Sequence, residues 1–296
     1  MKKITSLLLL FLSAIVHCQN NDFAQRLKAI NTQNATYYNI DGVDFSSQTY
    51  NYDFSEKSLK KIYKKFDIKD SDLKTKDESL SNNNLHVVKT KKVTENLVQT
   101  NSYYFIEDNS KTITIVWFGY YNKPDTDFEK TYINRILKKE IPEDIFESMT
   151  IDSIGFAGRK IKLGNNCSWT NVNSVQCPYN GEMNWSVHKN IERAKTAVEN
   201  QFNMTKSRSG IKVISEEQTV VIFEGIETTA KKVVFDFTGM KSLLAGMSGG
   251  KTLTVYYVAE KVRDNYVSCV MSYWNNDNLT KGGLAPLLEE VMYLKI

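Results

Sequence analysis

Apolar positions spaced three and four apart alternate along this chain with stretches of period two. From Ser55 onward, Leu59, Ile62, Tyr63 and Phe66 recur at helical spacing, with Ser55 suited to cap the start. Strands are predicted over 85–94, 96–107 and 111–121, with Asp108-Asn109-Ser110 turning between the last two. A second helix is predicted from Thr126. There Thr126 and Glu129 have capping-box spacing, and Phe128, Tyr132, Ile136 and Leu137 share a face. Residues 158–163, 167–171 and 174–178 read as strands. A helix from Asn190 then carries Ile191, Ala194, Val198 and Phe202 on one stripe. Strands follow over 211–215, 218–226, 230–238, 252–260 and 265–274, the last two turning at Arg263-Asp264. Leu284, Leu287, Leu288, Val291 and Leu294 predict a closing helix. Asp, Lys, Ser and Asn dominate residues 67–84, which read as a mobile loop.

A repeat lies within this order. Tyr103-Tyr104 aligns without gaps on Tyr256-Tyr257, Glu107 on Glu260, and Tyr120-Tyr121-Asn122 on Tyr273-Trp274-Asn275. The expected fold class is α+β: two tandem, duplicated units over 22–148 and 149–296, each an antiparallel sheet packed with helices. In architecture this order resembles the PsbP/Mog1-like fold, a likeness that implies no function. Ile113, Ile115 and Trp117 face one way along their strand, and Val116 and Phe118 the other. Such a strand is covered on both faces, one by the helices of its own unit and the other by the second unit or a partner.

The first residues read as an address. Lys2 and Lys3 precede an uncharged, Leu-rich run from Ile4 to Val16, and Gln19, Asn20 and Asn21 follow. This is the three-part form of a signal peptide, placed at 1–18 and too short to span a bilayer. In style the leader resembles those of exported Bacteroidetes proteins. Cys18 ends the leader or becomes its lipidated residue, although His17 stands where a lipobox needs a small side chain. The protein is expected in the periplasm, on the cell surface or secreted, with an outer-membrane lipoprotein as the alternative. No transmembrane span is expected, and a membrane tether only if Cys18 is lipidated.

An oxidising compartment favours pairing of Cys167 with Cys177, which flank a hairpin turning near Asn173. A zinc set of Cys167, Cys177 and His188 matches no standard spacing. Cys269, alternating with Val267 and Met271, reads as a small buried apolar residue. The formal net charge of +4 falls by two once Lys2 and Lys3 leave with the leader, so no basic footprint for nucleic acid remains. Four Pro and 14 Gly are too few for long linkers.

Catalytic signatures are sparse. Ala245 to Thr252 spells a relaxed phosphate-binding loop, but the run after it reads as strand where that loop needs a helix. His86 and His188 read as surface or capping residues. Glu216-Glu217 and Glu289-Glu290 are adjacent pairs whose side chains diverge. Asp152-Ser153-Ile154 fits a short O-glycosylation pattern in an expected linker. Aromatics are first expected in cross-strand packing. Exposed, Trp169, Tyr179, Trp185, Tyr273 and Trp274 would form a ligand or partner surface. The expectation is therefore an exported, non-catalytic binding or structural protein without cofactor or metal, whose partner is another envelope protein or a glycan. The alternatives are a hydrolase built from distant residues, such as His188 with carboxylates, and a carrier of small apolar ligands.

Overall fold

The computed structural model describes residues 26–95, 97–108, 112–121, 123–164, 166–238 and 250–295. The leader with Cys18, and the phosphate-loop-like segment up to Gly249, lie outside the described residues. Thr252 opens a strand, as its sequence predicts.

The first sheet has seven strands. They are β1 (Lys28–Asn31), β2 (Thr36–Ile40), β3 (Val43–Tyr50), β4 (Asn84–Lys92), β5 (Val98–Glu107), β6 (Ile113–Tyr120) and β7 (Phe146–Glu147), in the order β4-β5-β6-β3-β2-β1-β7. Helix α1 (Glu56–Lys65) joins β3 to β4, and α2 (Thr126–Leu137) follows β6. A two-stranded hairpin comes next, β8 (Ser153–Phe156) with β9 (Arg159–Lys162). The second sheet holds β10 (Ser168–Asn171), β11 (Ser174–Cys177), β12 (Gly181–His188), β13 (Ile211–Phe223), β14 (Ile226–Phe237), β15 (Thr252–Val262), β16 (Asn265–Trp274) and β17 (Met292–Leu294). Its order is β10-β11-β12-β16-β15-β14-β13-β17. Helix α3 (Ile191–Lys206) joins β12 to β13, and α4 (Pro286–Glu289) is one short turn. Apart from the parallel β1–β7 contact, these pairings are antiparallel.

This architecture corrects the α+β expectation. The described residues are 47% strand and 18% helix, in sheets of seven and eight strands with few helices. Two causes are visible. The strands β1 to β3, and β12, extend the sheets where the helical pattern drew attention elsewhere. The closing helix also fails to form beyond Glu289: Val291 is buried beside it, and Met292–Leu294 pairs with β13 instead. A run of leucines at spacing three and four is satisfied by burial, and here a turn and a strand bury it as well as a helix would.

Sidedness places the cores. Phe105, Ile113 and Ile115 face α1, packing with Leu59, Ile62 and Tyr63. Tyr104, Ile106, Val116 and Phe118 face α2, packing with Tyr132 and Ile133. Both faces of β6 are thus covered by the helices of its own sheet. In the second sheet, Trp185, Val258, Cys269 and Met271 pack under the β8–β9 hairpin and the Leu284–Met292 region. Val233, Phe235, Val255 and Tyr257 lie under Phe202 of α3.

Helix starts follow local chemistry. Ser55 Oγ accepts from Ser58 N, and Asn190 Oδ1 from Arg193 N. At α2 the cap is Asp125 rather than Thr126: Asp125 Oδ1 accepts from Phe128 N. Glu129 is turned into the core, where Tyr104 donates to its Oε2 at 2.8 Å, and burial pushes its carboxyl up. The polar 67–84 loop closes onto β4 through paired Thr75 and His86 backbones and buries Ile68 and Leu80. The aligned hairpins do not share a register. Tyr103 faces Trp117, whereas Tyr256 faces Met271, one position further than the alignment puts it.

Candidate ligand cleft

The two sheets approach each other where the β2–β3 hairpin meets β11 and β12. Asp41 and Gly42 form that hairpin's two-residue loop, with φ of 53° and 76°. Such a loop selects Asp-Gly, because both central positions need the left-handed region. The loop sits on His188: a β-carbon at Gly42 would lie 2.6 Å from His188 Cε1. Beside it runs a buried polar seam. Asn173 Nδ2 donates to Asn39 Oδ1 at 2.8 Å, and Ser186 Oγ donates to the same atom at 3.2 Å. Asn39 Nδ2 in turn donates to Asp44 Oδ1 at 2.7 Å.

A cleft of about 660 Å³ opens on one side of this seam, lined from both sheets and from two helices. Strand β12 alternates strictly, so Met183, Trp185 and Val187 enter the core while Glu182, Asn184, Ser186 and His188 form a polar row toward the cleft. Helix α3 buries Ala194 and Phe202 on its sheet. It turns another stripe to the cleft: Thr196, Ala197, Asn200, Gln201, Met204 and Thr205, flanked by Arg193 and Arg208. The first sheet adds Asn39, Asp41, Asp44, Tyr120 and Tyr121, and the start of α2 adds Asp125 and Phe128. Thr170, Asn171 and Ser174 complete the wall.

These groups form several hydrogen-bonded sets. Gln201 Nε2 donates to Asn184 Oδ1 at 3.0 Å, and Asn184 Nδ2 to the Asn173 carbonyl at 3.2 Å. Thr170 and Ser174 hydroxyls approach Glu182 Oε1 at 3.5 Å each. Burial pushes the Asp44 and Glu182 carboxyls up, against the pull of these neutral donors. Asp41 is held by Arg26 at 3.2 Å and by Lys189 at 3.8 Å. His188, 3% exposed, shares a hydrogen bond of 2.8 Å between Nε2 and Ser268 Oγ. Its Nδ1 meets no partner in hydrogen-bonding geometry among the described residues. Burial lowers its pKa to about 4; the nearby Asp41 backbone raises it slightly and Arg193 lowers it further. The ring is neutral at physiological pH.

On the other side of the seam lies a second cleft of about 730 Å³, with Asn173 in the wall of both. Several of its charged groups are held in ion pairs. Glu224 binds Arg159 and Arg263 at 2.7 Å each, and Lys28 binds Glu147 at 2.9 Å. Ser153, expected in a linker, opens β8 here and donates to Asp152 at 2.7 Å.

The aromatics singled out in the sequence are dispersed. Trp185 is buried against Phe156. Trp169 leans on Trp185 and donates Nε1 to the Ser148 carbonyl. Tyr273 packs on the same core, and Trp274 lies against Phe237. Tyr179 is 61% exposed. Cys167 and Cys177 are joined as expected, with Cα atoms 4.1 Å apart across the β10–β11 hairpin, so neither offers a thiolate to a metal. Cys269 is fully buried, and burial pushes its thiol up. His86 stacks on Tyr104, and its Nε2 lies 2.8 Å from Ser102 Oγ.

Apart from His188, the cleft residues of β12 and α3 were not singled out from the sequence. A signal was present: Glu182 to His188 alternates polar and apolar without a break, and a polar stripe runs along α3 beside its apolar one. Asp41-Gly42 between apolar runs likewise marked a hairpin.

No family profile matches the chain, and no curated protein is similar to it. Among solved structures, the di-domain ARO/CYC protein StfQ of the steffimycin biosynthetic pathway aligns over 83% of this chain and 72% of its own, at 7% identity and a TM-score of 0.16. DynU16, a putative protein of the dynemicin biosynthetic locus, aligns over 90% and 81%, at 10% identity and a TM-score of 0.17. Likenesses this slight carry no argument about fold or function. No described helix is long and apolar enough to cross a membrane.

Proposed function

We propose that this is an exported, non-catalytic binding protein that holds a glycan segment in the cleft beside α3. One observation carries the reading: the cleft is lined by side-chain amides, hydroxyls and two enclosed carboxylates drawn from both sheets. Planar amide and carboxylate groups bracket neighbouring hydroxyls with paired hydrogen bonds, and Tyr121 and Phe128 offer ring surface to a sugar face. The volume falls within the range of about 300–1,000 Å³ common to small-ligand sites. Export is supported by the leader and by the Cys167–Cys177 disulfide, a bond that persists in oxidising compartments.

The hydrolase alternative gains little support from His188. Its Nε2 is engaged by Ser268, and neither ring nitrogen meets a carboxylate among the described residues. An apolar carrier is poorly served by so polar a lining.

Titration of the purified protein with a panel of neutral and acidic oligosaccharides, followed by calorimetry, tests the reading. At least one should bind, and Asn184→Ala should weaken it about tenfold, as expected for a lost hydrogen bond worth about 1.4 kcal/mol. Silence across the whole panel would refute it.

A further inference from the structure

The arginines of the described chain divide into two groups. Arg26, Arg159 and Arg263 bind buried carboxylates, and Arg135 is engaged as well. Arg193 and Arg208 have no carboxylate partner among the described residues, are exposed, and both line the cleft. They stand at its two ends. The charge of Arg193 acts on His188, and that of Arg208 on Tyr121 and Tyr257. Arg193 lies in the first turn of α3 and Arg208 two residues past its end, so about 20 Å of helix at 1.5 Å per residue separates them. Along that stretch Thr196, Ala197, Asn200, Gln201, Met204 and Thr205, which line the cleft, carry no charge.

We infer that the ligand is an acidic saccharide, with carboxylates seated on Arg193 and Arg208 and hydroxyl-bearing rings between them. This rests on the cleft being the binding site. Unpaired guanidiniums fit carboxylates in a bidentate fork.

A hyaluronan hexasaccharide, whose uronates alternate with neutral rings, is the probe, with chitohexaose as the neutral chain of equal length and tetraglutamate as the acidic peptide. In calorimetric titrations at low salt, hyaluronan should bind at least about tenfold tighter than chitohexaose. Arg193→Gln and Arg208→Gln should each cost about tenfold with hyaluronan and clearly less with chitohexaose. Both side chains are exposed, and unchanged thermal melts would certify that the variants fold. Equal affinity for the two saccharides, or indifference to both substitutions, overturns the acidic assignment while leaving the glycan reading in place. Tighter binding of tetraglutamate overturns the saccharide class. Absence of binding by every probe overturns the cleft reading as well.

Discussion

Packing the His188 ring between the Asp41–Gly42 turn and Ser268 lowers its affinity for a proton, with a consequence for stability. Burial lowers its pKa to about 4 in the folded chain, against 6.5 for an ordinary histidine. In that window the unfolded chain binds the extra proton and the native chain does not, so stability falls as pH drops from about 6.5 to 4 and levels off below. At 1.36 kcal/mol per pKa unit the full effect is about 3 kcal/mol. Urea unfolding at pH 7 and pH 4 should show this loss, and His188→Gln should flatten that part of the profile. The same contact predicts that Gly42→Ala is destabilising by about 1–3 kcal/mol, through a left-handed backbone and a clash with the imidazole. A double-mutant cycle with His188→Ala should recover part of that cost, because the clashing ring is gone; strict additivity would show the two residues to be uncoupled.

Among the elements, the β10–β11 hairpin is a short strand pair at the edge of its sheet, closed by Cys167–Cys177. Chain-entropy arithmetic for a loop of about 11 residues puts the bridge at about 2.8 kcal/mol. Denaturant midpoints with and without reductant should differ accordingly, and Cys167→Ser with Cys177→Ser should remove the difference. Much at this level was legible beforehand. The Ser55 and Asn190 caps, the apolar stripes of α1 and α3, and the pairing of the two cysteines follow from neighbours within a few residues. The α2 cap was misplaced by one position. Asp125 and Thr126 can each cap, and the choice was settled by Tyr104, which draws Glu129 inward from a distant strand. The closing helix was lost for a similar reason: β13 offered a strand partner to Met292–Leu294 that lies far away in the chain.

Among the described residues, the four clusters of buried apolar residues draw from 27–146 and 50–115 in the first sheet's region, and from 151–294 and 198–270 in the second's. None spans both. Where the sheets meet, the contacts are the amide seam of Asn39, Asn173 and Ser186, the Lys189–Asp41 pair and the Gly42–His188 contact, with a cleft on either side. Small polar interfaces couple parts weakly. Calorimetric unfolding should therefore resolve two transitions, and Asn173→Ala should widen their separation by weakening the seam. A single transition indifferent to that substitution would show stronger coupling than these contacts supply.

The leader-like pattern of the first residues, the cysteine pair, most helix and strand positions and the sparseness of catalytic motifs were already present in the order of residues, because each rests on local spacing and composition. The predominance of strand, the covering of β6 by α1 and α2, and above all the cleft arose only when strands distant in the chain were paired. Polar residues at period two on β12 and along one stripe of α3 look like ordinary solvated faces until the Asp41–Gly42 turn is set against His188. That juxtaposition brings Asn39 to Asn173 from 134 positions away, and it gathers the amides, carboxylates and exposed guanidiniums that line the proposed binding cleft.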